Sequence, residues 1–220
     1  MSLCELRKAL IHVQPEVAPE DDYASFRSFF TGETARVTLI CARDGAIEGF
    51  LGWHVRALDL PASRVAVIDS DYYFVKPSLR GHLVLTEVAL GCYVRAALHG
   101  RCRRAVIVGH GYPASVLSGG RFSGRVRFLQ DPDLEPWERD AMRHFAERFC
   151  GASFDRARGI VKMRTRPAES RRVPRSPAAR DTLARFETYN PDWERGYGLP
   201  YIIHMSPASI ARGALQLTTA

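Results

Sequence analysis

Arg64 to His99 is the stretch that most constrains this fold, because a strand there hands over to a long helix through a proline-bearing turn. In Arg64–Val75, RVAVIDSDYYFV, the alternation places Val65, Val67, Asp69, Asp71, Tyr73 and Val75 on one face and Ala66, Ile68, Ser70, Tyr72 and Phe74 on the other. Neither face is wholly polar, which predicts a central strand. Pro77 cannot donate to a ladder, and Ser78-Leu79-Arg80-Gly81 leads into Leu83 to His99, a run of good helix formers broken only by Gly91. The first amides of such a helix have no internal partner and carry the positive end of its dipole. Arg80 to Leu83 is therefore either an anion cradle or an ordinary strand-to-helix connection.

The chain has 220 residues, 46% hydrophobic and 25% charged, enough for a sizeable core in one domain with additions. Its five cysteines, Cys4, Cys41, Cys92, Cys102 and Cys150, form no C-x-x-C pair and follow no signal peptide, so they are expected to be reduced thiols of a cytoplasmic protein. No apolar run reaches the roughly 18 residues that cross a bilayer. Between Asp155 and Arg185 stand ten basic residues against three acidic ones, which matches the whole formal charge of +7. That segment is either a solvated loop or a landing site for an acidic partner, such as a carrier protein or a phosphate-bearing cofactor. Nucleic acid is disfavoured as the partner, since no aromatic residue interleaves the basic stretch and no zinc or helix-turn-helix signature is present.

Along the chain, Leu6 to Val13 is expected as a strand and Glu20 to Phe30 as a helix stopped by Gly32. Thr34 to Arg43 and Ala46 to Leu58 form a hairpin about Asp44-Gly45, with Gly49 and Gly52 marking a bulge or a close approach in its second strand. The loop DLPAS leads into the central strand. After the long helix, Arg104 to Gly109 is a strand expected to lie parallel to the central one through a right-handed crossover. A short helix over Tyr112 to Ser118 and a strand over Arg125 to Gln130 complete a compact unit by about residue 130.

The order of these elements, together with Val75-Lys76-Pro77-Ser78-Leu79-Arg80-Gly81 at the end of the central strand, resembles the GNAT superfamily of N-acyltransferases over Thr34 to Gln130. The resemblance implies a GNAT-like α/β fold, a mixed central sheet flanked by helices. It also implies that Val75, Arg80, Gly81, His82 and Leu83 hold the pyrophosphate of an acyl-CoA donor. Two small residues usual in the family are replaced by Leu83 and Leu85, and Ser118 stands where the family places a tyrosine that protonates the leaving thiolate. Tyr112 is the substitute acid. Asp71, and after it Asp69, are candidate bases for the amine, with Glu87 in reserve. The leucines, the basic stretch and the large C-terminal part resemble N-acyl amino acid synthases, which take acyl chains from acyl carrier protein.

Residues 131–220 are expected as a C-terminal elaboration packed on a 1–130 core. A helix should run from Pro136 to Phe149, a strand over Gly159 to Arg164, a helix over Ala178 to Tyr189, and a short strand over Tyr201 to His204. Tyr189 to Tyr201 is either a lid or a packed surface loop. Other chemistries are excluded by missing motifs. Gly109-His110-Gly111 has no Gly-x-Ser-x-Gly elbow to serve, the seven histidines lack metal-ligand spacing, and no Gly-Lys-Ser/Thr follows a glycine-rich loop. The sequence therefore predicts an enzyme that transfers an acyl group from acyl-CoA or an acyl carrier protein to a small-molecule amine, without metal. An acetyl-CoA-dependent N-acetyltransferase and a non-catalytic binding module of the same fold are the alternatives.

Overall fold

The computed structural model describes residues 5, 8, 27, 29–31, 35–61, 63–76, 91, 94–95, 102, 104–120, 126–163, 176–206 and 208, with backbone alone at 71–74, 114 and 118–120. Its strands are β1 (Ala35–Cys41), β2 (Ile47–Leu60), β3 (Ser63–Val75), β4 (Arg104–Gly111), β5 (Val126–Phe128), β6 (Phe154–Asp155), β7 (Ile160–Lys162) and β8 (Tyr197–Met205). The helices are α1 (Pro113–Gly120), α2 (Pro136–Phe145) and α3 (Pro177–Tyr189). All eight strands join in one sheet of order β1-β2-β3-β4-β8-β7-β6, with β5 also paired to β8. Only β3 and β4 run parallel among the described pairs, as the crossover predicted.

The hairpin forms about Asp44-Gly45 because Gly45 takes φ 86° and the Asp44 carboxylate accepts the Ala46 amide at 3.0 Å. β2 then leads straight back into β3, pairing Leu60 with Ser63 and His54 with Asp69. The DLPAS loop is thus a second tight hairpin. A bulge follows: Gly52 pairs with Asp71, but Leu51 pairs with Tyr73 and Gly49 with Val75. The alternation expected to run unbroken from Val65 to Val75 is broken there, and Val75, paired with Gly49, falls on the sheet face opposite Asp69.

β3 is buried on both sides. Val65 and Val67 pack with Val106, Val108 and, from α2, Ala141, Met142 and Phe145. Ala66 and Ile68 pack with Leu51, Trp53, Ala105 and Met205 on the other face. A third cluster joins Val116 of α1, Phe186 of α3, Trp193 and the β8 residues Leu199 and Ile203.

α2 starts on a reciprocal cap between Glu135 and Glu138, with Pro136 at its first position. The buried Glu138 carboxylate also pairs with His204 of β8 at 2.6 Å and Arg127 of β5 at 3.5 Å, and these contacts hold it below the usual carboxylate range against the opposing pull of burial. The helix expected to reach Phe149 ends at Phe145 and continues as a π-helical turn, Ala146–Cys150, released at Gly151 with φ 50°. α3 is capped by the Ser176 hydroxyl and anchored by Arg185, which pairs with Asp131 at 2.8 Å and donates to the Val126 carbonyl at 3.0 Å.

Two further expectations change, and of the two readings of Tyr189 to Tyr201 the packed loop is the one found. Glu5 and Lys8 are helical, which breaks the strand foreseen over Leu6 to Val13, the rest of which lies outside the described residues. β8 begins at Tyr197 rather than Tyr201 and enters the sheet beside β4. The segment before it is packed rather than a lid: Asn190 and Trp193 are buried, and the Asn190 amide donates to the Tyr197 carbonyl at 2.9 Å.

The extra residue of the bulge is Tyr72 of β3, and on the facing strand Gly52 is held close by two aromatic rings. A Cβ there would stand 2.6 Å from the Phe30 ring and 2.8 Å from Phe29, two rings that are themselves in edge contact. Gly52→Ala should cost about 1–3 kcal/mol by overpacking. Urea denaturation measures this, and Gly45→Ala serves as a contrast in which backbone strain alone operates because open space surrounds that site.

Candidate functional site

The site is built by two strands that part. β3 and β4 pair from Val65 and Arg104 as far as Asp69 and Val108; beyond that point, among the described residues, β3 continues against β2 and β4 against β8. The bulge at Leu51/Gly52 begins two residues further along β3 and bends it. The described pairing therefore splits at the carboxyl ends of two parallel strands, with Ser70 onward on one side of the split and Gly109-His110-Gly111 on the other. At its base, a Cβ on Gly109 would lie 3.1 Å from both the Ser70 carbonyl oxygen and the Tyr201 hydroxyl, so glycine is what lets the strands approach there.

On the α2 face of this split, titratable groups gather. The Asp69 carboxylate is wholly buried and accepts two hydrogen bonds from Arg56, at 2.8 and 3.3 Å. Arg56 also donates to the Ala141 carbonyl of α2 at 3.3 Å. Burial pushes the Asp69 carboxyl up, and the Arg56 bonds and charge only partly oppose it. Opposite Asp69 lies His54, buried, with Nε2 2.7 Å from the Phe29 carbonyl and a pKa lowered by burial. His144 of α2 is also lowered, by burial and then by the Arg56 charge. Phe149 seals the cluster, its ring 5.1 Å from His54 and 5.0 Å from Phe29. Further along the split, His110 Nδ1 stands 3.8 Å from the Cys150 thiol, and the His110 ring packs on Phe145 at 5.7 Å.

Tyr112 follows β4 at the same end of the sheet. Burial raises its phenol to about 12, so it keeps its proton through the neutral range. Asp71 lies in register with Gly52 at the bulge, two residues beyond Asp69 along the opening strand. Ser118 belongs to α1, and Val75 is buried at the end of β3. Arg80, Gly81, His82, Leu83, Leu85 and Glu87 lie outside the described residues. The structure thus brings Asp69, Asp71 and Tyr112 to one sheet edge, but it commits Asp69 to Arg56.

His54, Arg56, His110, His144 and Cys150 were missed. His54 was within reach of sequence reasoning, since treating Pro61-Ala62 as a two-residue turn pairs it with Asp69 directly. Cys150 and His110 stand 40 residues apart, and no local signal joins them. Among the described residues no group of three or more His, Cys, Asp or Glu could hold a metal, and no helix is long and apolar enough to cross a membrane. Of the basic stretch, Arg156, Arg158 and Arg185 are engaged in ion pairs with Glu147, Asp192 and Asp131; Arg171, Arg172 and Arg175 lie outside the described residues.

Removing the Arg56 charge should expose how much the site leans on it. Arg56→Met leaves a buried carboxylate without its partner, a loss of about 3–5 kcal/mol at neutral pH. The Asp69 pKa then rises further above its unfolded value, so the folded state binds the extra proton and stability falls as pH rises. Chemical denaturation should therefore find the variant's deficit largest in the neutral range and shrinking as the pH drops into the acid range.

No family model matches the sequence, and no curated protein matches it. Similar solved structures include an aminoglycoside N-acetyltransferase in complex with CoA, at 19% identity over 53% of this chain and 74% of that one, with a TM-score of 0.37. A glucosamine-6-phosphate N-acetyltransferase from Arabidopsis thaliana is 16% identical over 49% and 77%, with a TM-score of 0.36. A probable N-acyltransferase from Enterococcus faecalis is 11% identical over 59% of this chain but 33% of its own, with a TM-score of 0.40.

Proposed function

We propose that this chain is an N-acyltransferase that moves an acyl group from a thioester donor, acyl-CoA or an acyl carrier protein, to the amine of a small-molecule acceptor. The observation that supports this best is the parting of β3 and β4 beyond Asp69 and Val108. Strand edges that have stopped pairing with each other still carry amides and carbonyls, and an extended amide-bearing arm can lie between them as an added strand would. The pantetheine arm common to both donors has that form. It would bring its thioester carbonyl to the base of the split, near Gly109, Ser70 and Tyr201.

Chemical roles follow from protonation. The acceptor arrives as an ammonium ion and must lose a proton before its nitrogen can attack; this role is assigned to Asp71, whose backbone lies two residues beyond Asp69 on β3, since Asp69 is held by Arg56. Tyr112, protonated at neutral pH, supplies a proton to the departing thiolate. Arg80 to Leu83 would meet the donor's phosphate with amides and the Arg80 charge. The leucines at 83 and 85 and the basic stretch favour the carrier protein as donor, because both would suit a long arm presented by an acidic surface better than a nucleotide.

Thermal shift with acetyl-CoA, a long-chain acyl-CoA and an acylated carrier protein tests the reading, since any donor that binds the folded state raises the midpoint. No shift with all three would overturn it. Asp71→Asn should reduce kcat by about a hundredfold or more while leaving donor binding intact. Charge reversal of Arg171, Arg172 and Arg175 to Glu should slow transfer from the carrier and flatten its salt dependence, while transfer from acyl-CoA is little changed.

A further inference from the structure

The thiol–imidazole pair of Cys150 and His110 stands beside the split and is absorbed by none of the roles above. His110 is the second residue of β4 beyond its last pairing with β3, in register with Pro200 of β8, and alternates onto the same face as Val106 and Val108. Cys150 ends the π-helical turn that follows α2, half-buried, with its Sγ 3.8 Å from His110 Nδ1. Without that turn the chain after Phe145 would continue as α-helix and present a different residue to β4, because a π turn carries an extra residue per turn. Phe145 packs on the imidazole from one side and Phe149 on Phe145, which fixes both partners of the pair. A thiol with a base in reach, the base held by packing and the two set beside the split that would take an acyl donor, is the arrangement of a nucleophile.

We propose that Cys150 accepts the acyl group from the donor before the amine does, with His110 as its base, so that transfer runs through a Cys150 thioester. This rests on the acyltransferase reading above and deepens it. In the first step His110 Nδ1 takes the Sγ proton, the Cys150 sulfur attacks the donor carbonyl, and the donor's C–S bond breaks. On this covalent route His110 returns that proton to the donor sulfur, so the donor leaves as a thiol and Tyr112 is not required for the step, as it is in direct transfer. In the second step the amine nitrogen attacks the Cys150 thioester, the C–N bond forms, and the Cys150 C–S bond breaks. The nitrogen's proton passes through His110 back to Cys150. One thioester is consumed, one amide and one thiol appear, and no oxidant or reductant is needed.

Two measurements on the full chain test this. The first is iodoacetamide alkylation at neutral pH with peptide mapping, where the exposed Cys41 serves as an internal standard within the same molecule. Cys150 should react at least tenfold faster than Cys41, and His110→Asn should remove that advantage. Equal rates in the wild-type protein overturn the pair as a nucleophile, whichever donor the enzyme uses. The second is intact-mass analysis after incubation with acetyl-CoA, long-chain acyl-CoA or acylated carrier, with amine omitted. A hydroxylamine-sensitive adduct should map to Cys150 and be missing in Cys150→Ser, which should also lose amide formation. If Cys150→Ser folds and forms amide at the wild-type rate, the covalent step is overturned while acyl transfer stands. If Cys150 is fast with iodoacetamide but no donor yields either adduct or amide, the acyltransferase reading fails and the covalent step fails with it.

Discussion

The buried pair between Arg56 and Asp69 is the interaction on which this structure turns. Asp69 is the last β3 residue in register with β4, so its carboxylate lies where three strands are still joined and two are about to separate. Taken alone, such a carboxylate would be expelled or neutralised. Arg56 answers it with two hydrogen bonds and spends another donor on the Ala141 carbonyl, thereby tying β2, β3 and α2 together at the point of divergence. Hydrophobic contacts of Val65, Val67, Val106 and Val108 hold the paired half of the strands beneath α2. The polar pair marks where that packing stops and the split begins.

Around it the molecule keeps imidazoles neutral rather than charged. His54 and His144 are both lowered by burial, close to an arginine, and His54 makes its bond to a backbone carbonyl. A protonated His144 would place a second cation near Arg56, and a protonated His54 one near Arg148. The aromatic rings of Phe29, Phe145 and Phe149 keep water from this face, and that exclusion strengthens each remaining electrostatic contact. The β4–β8 side is made differently, from glycines at Gly109, Gly111 and Gly198 that allow close approach of Tyr201, Ser115 and the neighbouring backbone. The two sides suit different partners: a slender arm along the open edge, and a reactive group beside the aromatic wall.

The sequence by itself determined the local elements. Asp44-Gly45 set the first hairpin, because only a residue tolerant of positive φ closes it, and the two apolar faces of Arg64–Val75 set a central strand, because both had to be covered. Pro136, Ser176 and Pro177 started their helices where amides would otherwise lack partners or donors were already surplus. The placement of Asp71 and Tyr112 at one end of the sheet also followed from local pattern, since a parallel neighbour through a helical crossover brings both strand ends to the same edge. Tertiary structure decided what depends on register and distance. The bulge at Gly52 turned Val75 away from the Asp69 face, a one-residue event that alternation cannot foresee. Arg56 made a structural anchor of Asp69, β8 entered the sheet from the far end of the chain, and a π turn set Cys150 against His110. These are contacts between segments remote in sequence, and their energy comes from burial that exists only once the chain has closed on itself.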